Sequence, residues 1–230
     1  MEENMNISVL GTGMVGQTIT TKLASIGHKV MVGSRDRKNP KALEWIKKLS
    51  NVSLGTFAES AAFGEMIFNC TLGSASLAAL TLASEKNIDS KILIDTSNPL
   101  DFSKQHEVSL FICNTESLSE QIQQTFPKAK VVKTLNTLTA SLMVNQGGLP
   151  GKHNLFLCGN DEAAKRSVRF FLRDSFGWAE DSVLDLGDIT AARATEMYVM
   201  VWVRLWQYFQ NPVFNLSILP PPNRLKAPGT

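Results

Sequence analysis

The stretch Gly11-Thr12-Gly13-Met14-Val15-Gly16 determines the predicted fold, because it places three glycines at the spacing GxGxxG between an apolar strand and a helix. In such a turn Gly11 allows the chain to reverse tightly, and Gly13 lets the backbone approach a diphosphate. Gly16 allows the helix to pack closely on the strand. The N–H groups and partial positive charge at the start of the helix favour an anion. The stretch therefore predicts a dinucleotide site; the alternative is a glycine-rich turn that binds nothing.

Short apolar runs and helix-length segments alternate along the chain, which is typical of βα units in a parallel sheet. The predicted strands are Asn6–Leu10, Lys29–Val32, Val52–Leu54, Met66–Cys70, Ile92–Asp95, Lys130–Lys133, Asn154–Cys158 and Ser182–Leu186. The predicted helices are Met14–Ser25, Pro40–Leu49, Phe57–Phe63, Ser74–Ser84, Ser117–Thr125, one starting near Asp161, and one from Ile189 to about Gln210. This order predicts an α/β fold, a Rossmann-like doubly wound parallel sheet with a small C-terminal helical extension.

The sequence pattern changes after about Ser141, where a Gly- and Pro-rich loop occupies residues 146–151. We therefore expect a dinucleotide-binding Rossmann domain over residues 1–145. Residues 146–230 are expected to supply the strands and helices that complete the sheet, a pocket for the second substrate and a dimer interface. The Pro-rich segment Pro220–Thr230 is predicted to be loosely ordered.

The composition is that of an ordinary globular protein, with 43% hydrophobic and 19% charged residues. A net charge of +2 favours neither nucleic acid nor an anionic membrane surface as a partner. The start, Met1–Asn4, is acidic and leads into a strand, which predicts no signal peptide. The longest apolar stretch, Met197–Phe209, is shorter than the ~20 residues of a membrane span. We therefore expect a cytoplasmic protein in which this stretch is a buried helix.

The same stretch is apolar nearly all round, so that a helix formed by it must be covered on every side. Packing in the core, a homodimer interface and a pocket for the second substrate all remain open as explanations for its character.

The second predicted strand ends in Gly33-Ser34-Arg35-Asp36-Arg37-Lys38, where a dinucleotide site of this kind meets the adenosine ribose. Enzymes that use NAD place a carboxylate at this strand end to hold the ribose 2′-hydroxyl. Ser34 and Arg35 offer a hydroxyl and a guanidinium instead, which suit a 2′-phosphate, and Arg37 and Lys38 add positive charge nearby. The segment therefore favours NADPH over NADH; the alternative is a solvated basic loop.

Three polar turns follow other predicted strands and are expected to meet at the carboxyl edge of the sheet. They are Thr71-Leu72-Gly73-Ser74, Thr96-Ser97-Asn98-Pro99 and Thr134-Leu135-Asn136-Thr137. Their hydroxyl and amide groups suit a nicotinamide carboxamide. For Ser74 a helix cap is an equal alternative, and for Asn98 a simple turn before Pro99. Asn136 follows an apolar strand directly, and we favour a functional role for it.

Five segments, taken in order over about Asn6–Leu205, resemble the NADP-dependent coenzyme F-420 oxidoreductase family. They are GTGMVG (11–16), GSRDRK (33–38), IDTSNPL (94–100), KTLNTL (133–138) and LDLGDITAAR (184–193). The resemblance implies a Rossmann domain with a short C-terminal extension that passes hydride between NADPH and a deazaflavin. A similar domain forms the cytoplasmic NADPH-binding part of membrane ferric reductases. Beyond Tyr198 this chain departs from the family pattern.

The resemblance also implies which residues bind the cofactor. The phosphates of NADP would be bound by Thr12, Ser34, Arg35 and Lys38. The nicotinamide and the hydride acceptor would be lined by Asn136 and by the loops after Cys70 and Thr96, with Thr71, Leu72, Gly73 and Asn98.

Reactive side chains are sparse, since the sequence shows no nucleophile–base pair, no paired carboxylates and no metal-ligand spacing. The cysteines lie in or beside apolar runs and are expected to be buried, whereas the histidines are expected at the surface. The cysteines are Cys70, Cys113 and Cys158, and the histidines are His28, His106 and His153. We therefore predict no catalytic side chain and no metal. Hydride transfer between two cofactors needs alignment and exclusion of water more than a protein acid or base.

The function predicted from these features is an NADPH-dependent oxidoreductase whose acceptor is a deazaflavin, a flavin or a similar flat molecule. One alternative is an NADP-dependent reductase of a small carbonyl or imine metabolite, which would need a positioned proton donor. A second alternative is a non-enzymatic NADPH-binding redox sensor, which would bind the nucleotide tightly and turn over no acceptor.

Overall fold

The structure is a computed structural model that describes residues 4–103 and 107–221. The predictions made for His106, for residues 1–3 and for the tail from residue 222 lie outside the described residues. The strands are β1 Asn6–Leu10, β2 Lys29–Ser34, β3 Val52–Thr56, β4 Met66–Asn69, β5 Ile92–Asp95, β6 Leu100–Asp101, β7 Ser109–Leu110, β8 Lys130–Thr134, β9 Leu155–Gly159 and β10 Val183–Asp185. The α-helices are α1 Met14–Ser25, α2 Pro40–Ile46, α3 Phe57–Phe63, α4 Gly73–Ala83, α5 Glu85–Ile88, α6 Leu118–Thr125, α7 Ala140–Met143, α8 Glu162–Phe176 and α9 Ala192–Phe209.

Eight of these strands form one sheet in the order β10-β9-β8-β5-β4-β1-β2-β3, and β6 pairs with β7 separately. The six strands from β3 to β8 are parallel, and their order reverses between β1 and β4. Such a reversal is the point at which open α/β sheets bind ligands. The predicted Rossmann-like doubly wound fold with a C-terminal helix is therefore confirmed.

The sheet departs from a wholly parallel one at its far end, because β9 runs antiparallel to β8, with Val132 opposite Gly159. β10 is parallel to β9 and extends the sheet by one further strand. Strands on both sides of residue 145 thus share one sheet, and the division of the chain into two domains at that residue remains a prediction.

Helices cover both faces of the sheet, because the central strands are apolar on both sides. In β4, Phe68 lies in one core with α1 and α8, and Ile67 lies in the other core with α4 and α6. Successive side chains of a strand point to opposite faces, so a continuous apolar run such as Met66-Ile67-Phe68 requires two covering layers. This explains why the short runs could be assigned to buried strands.

The prediction that the histidines lie at the surface is wrong for His28 and His153, because both are buried. His28 is buried, its Nδ1 accepts a hydrogen bond from the Met5 N–H at 3.2 Å, and its ring stacks on Phe171. His153 is buried with its ring edge against Trp178, and its Nε2 lies 3.0 Å from the carbonyl oxygen of Gln146. In both cases an imidazole nitrogen lies within hydrogen-bond distance of a backbone group.

The prediction of buried thiols holds for two cysteines and is wrong for Cys113, which is exposed in the loop before α6. Burial raises the pKa of the Cys70 and Cys158 thiols to about 12. Because the thiolate is the reactive form, an alkylating reagent at pH 8 should label one thiol per folded chain and three in denaturant. Cys113→Ser should remove the rapid reaction. Rapid labelling of a second thiol in the folded protein would contradict this packing.

The prediction that Met197–Phe209 is a buried helix is also wrong. In α9 the first half is anchored by Thr195, Glu196 and Val199, whereas Val201 is 51% exposed and Phe209 53%. The chain after α9 folds back over the helix and stacks Phe214 on Trp202, with ring centres 5.6 Å apart. Among the residues that the structure describes, no helix has both the length and the apolar character needed to cross a bilayer.

Candidate functional site

The glycine-rich turn has the geometry that its sequence predicts. Gly11 has φ +119°, and a side chain there would come within 2.6 Å of the Cys70 carbonyl oxygen. A Cβ on Gly16 would collide with the carbonyl oxygen of Gly11, so this glycine lets α1 pack directly under the turn. Nothing lies within 4 Å of the Cβ position at Gly13, which faces open space. The turn is therefore closed on its protein side and open where a ligand would approach.

The start of α1 offers free backbone donors to that open space. Gly13 is the N-cap residue, no side chain accepts a hydrogen bond from the first turn, and the first turn contains no acidic residue. The first N–H groups of a helix have no partner within it and carry a partial positive charge. The residues thus fit the diphosphate of a dinucleotide, which supplies both the charge and the acceptor oxygens that this end lacks.

A cavity of about 430 Å³ lies beside the turn, at the carboxyl ends of β1, β2 and β4. Its lining includes seven of the residues predicted to bind the cofactor, Gly11, Thr12, Gly13, Ser34, Arg35, Thr71 and Leu72. Seven others do not line it: Met14, Val15, Gly16, Lys38, Gly73, Asn98 and Asn136. The structure therefore brings together the ends of three strands that are far apart in the sequence, at the point where the strand order reverses.

The residues that our sequence analysis missed form mainly the apolar wall of this cavity. Phe57 contributes from α3, and one face of α4 contributes Ala75, Ala78, Ala79 and Leu82. These residues of α4 lie three and four positions apart, which places them on one face of a helix beside the predicted turn. The same spacing is typical of a face packed in the core, so it does not by itself identify a cavity wall.

The far end of the cavity is polar and positively charged. The Ser34 hydroxyl accepts hydrogen bonds from the Asp36 N–H and the Asn39 side chain, both at 3.4 Å. Arg35 lines both the cavity and an adjoining recess, which also contains Lys41. Within the described residues the Arg35 guanidinium makes no hydrogen bond or ion pair, and it is exposed. A free guanidinium beside a hydroxyl suits a phosphate group.

The other basic residues of the same loop are arranged differently. Arg37 forms an ion pair with Glu59, and it does not line the cavity. Lys38 is exposed outside the cavity, and its backbone N–H donates to the Asp36 carboxylate at 2.8 Å. Of the three basic residues, Arg35 therefore lines the cavity, whereas Arg37 and Lys38 lie outside it.

The two asparagines predicted to line the nicotinamide site hold two loops together. The Asn98 side chain donates to the Asn136 carbonyl oxygen at 2.8 Å, and the Asn136 side chain donates back to Asn98 Oδ1 at 2.9 Å. Asn136 also donates to the carbonyl oxygen of Thr195 at 3.1 Å, which ties the loop to α9. Ser74 is not a helix cap, because α4 begins at Gly73 and Leu72 is its N-cap residue. A direct role of these loops in binding the cofactor remains a prediction.

A buried charge network, which the sequence analysis did not predict, lies under the same loops. The Lys133 ammonium is 2.9 Å from the Asp95 carboxylate and 2.8 Å from the Glu196 carboxylate, and all three side chains are at most 2% exposed. Burial alone would lower the pKa of Lys133, but the two carboxylates raise it overall. Burial alone would raise the pKa of Asp95, but Lys133 and the hydroxyls of Ser119 and Ser97 lower it overall. Lys133 and Asp95 are thus both charged at neutral pH.

In the part of the chain that the structure describes, no group of three or more His, Cys, Asp and Glu side chains is placed to hold a metal ion. Nor does the cavity present a histidine or a carboxylate among its described lining residues. The titratable groups there are Arg35 and the buried Cys70 thiol, whose raised pKa leaves it protonated.

Comparison with known proteins agrees with this geometry. A model of the family described as NADP oxidoreductase, coenzyme F420-dependent, matches residues 6–99. A crystal structure from Arthrobacter sp. FB24, provisionally named an F420-dependent NADP reductase, is 47% identical with a TM-score of 0.89 and covers 94% of this chain and 100% of its own. The fold, the turn and these matches define an NADP-dependent oxidoreductase. The chain belongs to the coenzyme F420-dependent NADP oxidoreductase family.

Curated relatives match over most of this chain and over a smaller part of themselves. Metalloreductase STEAP3 of Rattus norvegicus is 28% identical over 90% of this chain and 38% of its own length. Metalloreductase STEAP2 of Homo sapiens is 25% identical over 88% of this chain and 37% of its own. The chain thus spans less than two fifths of the length of these relatives.

Proposed function

We propose that this oxidoreductase passes hydride between NADPH and a flat redox acceptor, a deazaflavin such as coenzyme F-420 or a flavin. The observation that carries the proposal is the cavity lining, which has a large apolar wall and no histidine or carboxylate among the described residues. Reduction of a carbonyl or imine needs a positioned proton donor, whereas a flat cofactor needs an apolar surface and alignment. The family and the 47% identical relative support the same acceptor class.

In this proposal, different residues bind different parts of the cofactor. The N–H groups at Gly13 and the start of α1 hold the diphosphate, with Thr12 beside them. Ser34 and Arg35 hold the 2′-phosphate, with Lys38 and Lys41 adding charge. The alanine face of α4 covers the adenosine. When bound, NADPH supplies a hydride, two electrons with one proton, and the acceptor takes its second proton from solvent.

The nicotinamide half extends toward the carboxyl ends of β4, β5 and β8 in this arrangement. Thr71, Leu72 and Gly73 border it at β4, and the linked pair Asn98 and Asn136 fixes the loops at β5 and β8. These loops align the ring and exclude water, which is the main demand that hydride transfer makes on a protein. No protein proton is moved in this scheme, which agrees with the scarcity of acids and bases in the cavity.

The acceptor is tested by measuring NADPH oxidation against a panel of coenzyme F-420, FMN, FAD, a ferric chelate and small carbonyl and imine compounds. We expect one deazaflavin or flavin to react on the order of tenfold faster than any carbonyl or imine. Fastest turnover of the ferric chelate without added flavin would instead assign the activity that the names of the STEAP relatives describe. Turnover confined to carbonyls or imines would contradict the proposal.

We further propose that the protein forms a homodimer, because an interface would bury the exposed apolar residues of α9. Val201, Trp206 and Phe209 are all about half exposed in the single chain, and such a contiguous patch favours association. We expect a solution mass of twice the chain mass of 25.3 kDa. Val201→Asp should give monomers, whereas Phe170→Asp, a matched change on α8, should not. A wild-type monomer at micromolar concentration would contradict the dimer.

A further inference from the structure

We infer that the buried Asp95–Lys133–Glu196 network tunes the redox balance of the cofactor by favouring NADP⁺ over NADPH at the site. The inference rests on the proposed function in one respect, the position of the nicotinamide at the carboxyl ends of β4, β5 and β8. Neither the sequence motifs nor the family match assigns a role to Glu196, which lies 63 residues after its partner Lys133.

The network carries an uncompensated charge. Two carboxylates surround one ammonium, so their formal sum is one negative charge. A second ion pair joins α9 to α6, Arg193 with Glu120 at 2.5 Å, and it is neutral in itself. Within residues 4–103 and 107–221, no second cation pairs with Asp95 or Glu196. A buried charge is screened far less by salt and water than one at the surface.

Hydrogen bonds hold both carboxylates in position beside Lys133. Asp95 accepts from the Asn69 amide at 2.9 Å, from the Ser97 hydroxyl at 2.7 Å and from the Ser119 hydroxyl at 2.5 Å. Glu196 accepts from the backbone N–H groups of Leu118 at 2.8 Å and of Ser119 at 3.2 Å, at the start of α6. For Asp95, Lys133 and the hydroxyls of Ser119 and Ser97 lower the pKa of the carboxyl group. The fold therefore fixes both carboxylates against a single ammonium.

The network reaches the cavity through two hydrogen bonds. The hydroxyl of Thr71, which lines the cavity, donates to Asn69 Oδ1 at 2.6 Å, and the Asn69 amide donates to Asp95. On its other side, Lys133 donates to the carbonyl oxygen of Ser97 at 2.5 Å, directly under the loop that contains Asn98. The charges thus lie beneath the loops that border the proposed nicotinamide position.

The two forms of the cofactor respond differently to such a charge. The nicotinamide ring of NADP⁺ carries one positive charge that NADPH lacks, and the rest of the molecule is the same. For two unit charges on the order of 10 Å apart, at an effective dielectric constant of ~20, Coulomb's law gives an effect of about tenfold on the relative affinity for the two forms. The network therefore shifts the site toward the oxidised form, and hydride leaves the site more readily than it would without Glu196.

The test compares Glu196→Gln with Glu196→Asp, measuring the dissociation constants of NADP⁺ and NADPH separately by calorimetry. Glu196→Gln removes the charge, and we expect the ratio Kd(NADP⁺)/Kd(NADPH) to rise by about three- to tenfold. Glu196→Asp keeps the charge but shortens the side chain, and the ratio should stay within about twofold of wild type. A purely structural role would change both dissociation constants together and would affect both variants alike.

Asp95→Asn removes one negative charge from the other carboxylate that contacts Lys133, and we again expect the ratio Kd(NADP⁺)/Kd(NADPH) to rise. It can therefore replace Glu196→Gln if that variant does not fold. Asp185→Asn changes a carboxylate that pairs with Lys165 at the far edge of the sheet, and it should leave the ratio unchanged. An unchanged ratio in the charge-removing variants, or an equal shift in Glu196→Asp, would overturn the inference. A wild-type protein that binds neither nucleotide would overturn the proposed function instead.

Discussion

Arg35→Ala is expected to weaken NADPH binding by about 10- to 100-fold while NADH binding stays within about twofold of wild type. The two nucleotides differ only in the 2′-phosphate, and the Arg35 guanidinium is free, exposed and at the polar end of the cavity. A charge-assisted hydrogen bond to a phosphate contributes about 1.5–3 kcal/mol, so the loss of one or two explains the expected factor. Titration of both nucleotides by calorimetry or fluorescence at one ionic strength measures it.

The neighbouring arginine supplies a matched control. Arg37→Ala removes the same charge two positions further along, but its guanidinium is paired with Glu59 and lies outside the cavity. We expect its NADPH affinity to stay within about threefold of wild type, because the effect of an exposed charge on a phosphate at a distance is small. Arg35→Lys should fall between wild type and Arg35→Ala, since an ammonium cannot bind a phosphate through two parallel donors. Equal losses for NADPH and NADH in Arg35→Ala would contradict the 2′-phosphate assignment.

The parts of the fold that the sequence predicted are those encoded locally. The run Met66-Ile67-Phe68 is apolar without alternation, which identifies a strand covered on both faces, and the structure buries it between two cores. The turn at Gly11 is encoded by residues five apart and is recognisable from them alone. The direction of β9 was not predictable in this way, because a strand of the same composition pairs in either direction.

The candidate site shows the same difference between residues encoded locally and residues brought together by the fold. Gly13, Ser34 and Arg35, which line the cavity, were predicted to bind the cofactor because each belongs to a short segment whose chemistry is visible in the sequence. The network of Lys133 was missed because Asp95 and Glu196 lie 38 and 63 residues from it, and only the packing of β5, β8 and α9 brings them together. A lysine inside a strand gives no indication of its partners.

The apolar helix α9 shows a different limit. Its composition requires a cover on nearly every side, but a sequence does not state whether that cover belongs to the same chain. In the structure the first half is buried through residues such as Glu196 and Val199, whereas the second half is covered only in part, by Phe214 stacked on Trp202. Burial in the core was the simpler interpretation, and the structure contradicts it in the second half of the helix, where Val201, Trp206 and Phe209 are about half exposed.

Gly13→Ala is expected to abolish most nucleotide binding without affecting the fold. A methyl group there meets no protein atom within 4 Å, and the backbone angles, φ −74° and ψ −177°, suit alanine. Alanine is a poorer N-cap than glycine by up to about 1 kcal/mol, but it also loses less chain entropy on folding, so the free energy of unfolding should change by less than about 1 kcal/mol. The methyl group instead projects into the space that the diphosphate occupies in our proposal.

The affinity of Gly13→Ala for NADPH, NADP⁺ and NADH should fall by about 100-fold alike, because the diphosphate is common to all three and at least two of its charge-assisted hydrogen bonds are lost. This pattern differs from that of Arg35→Ala, which discriminates between NADPH and NADH. Gly16→Ala is the structural counterpart, since its Cβ collides with the Gly11 carbonyl oxygen and should lower the melting temperature before any ligand is added. A Gly13→Ala protein that still binds NADPH normally would place the diphosphate somewhere other than this turn, because no other consequence of the substitution could compensate for a methyl group between the helix N-terminus and its anion.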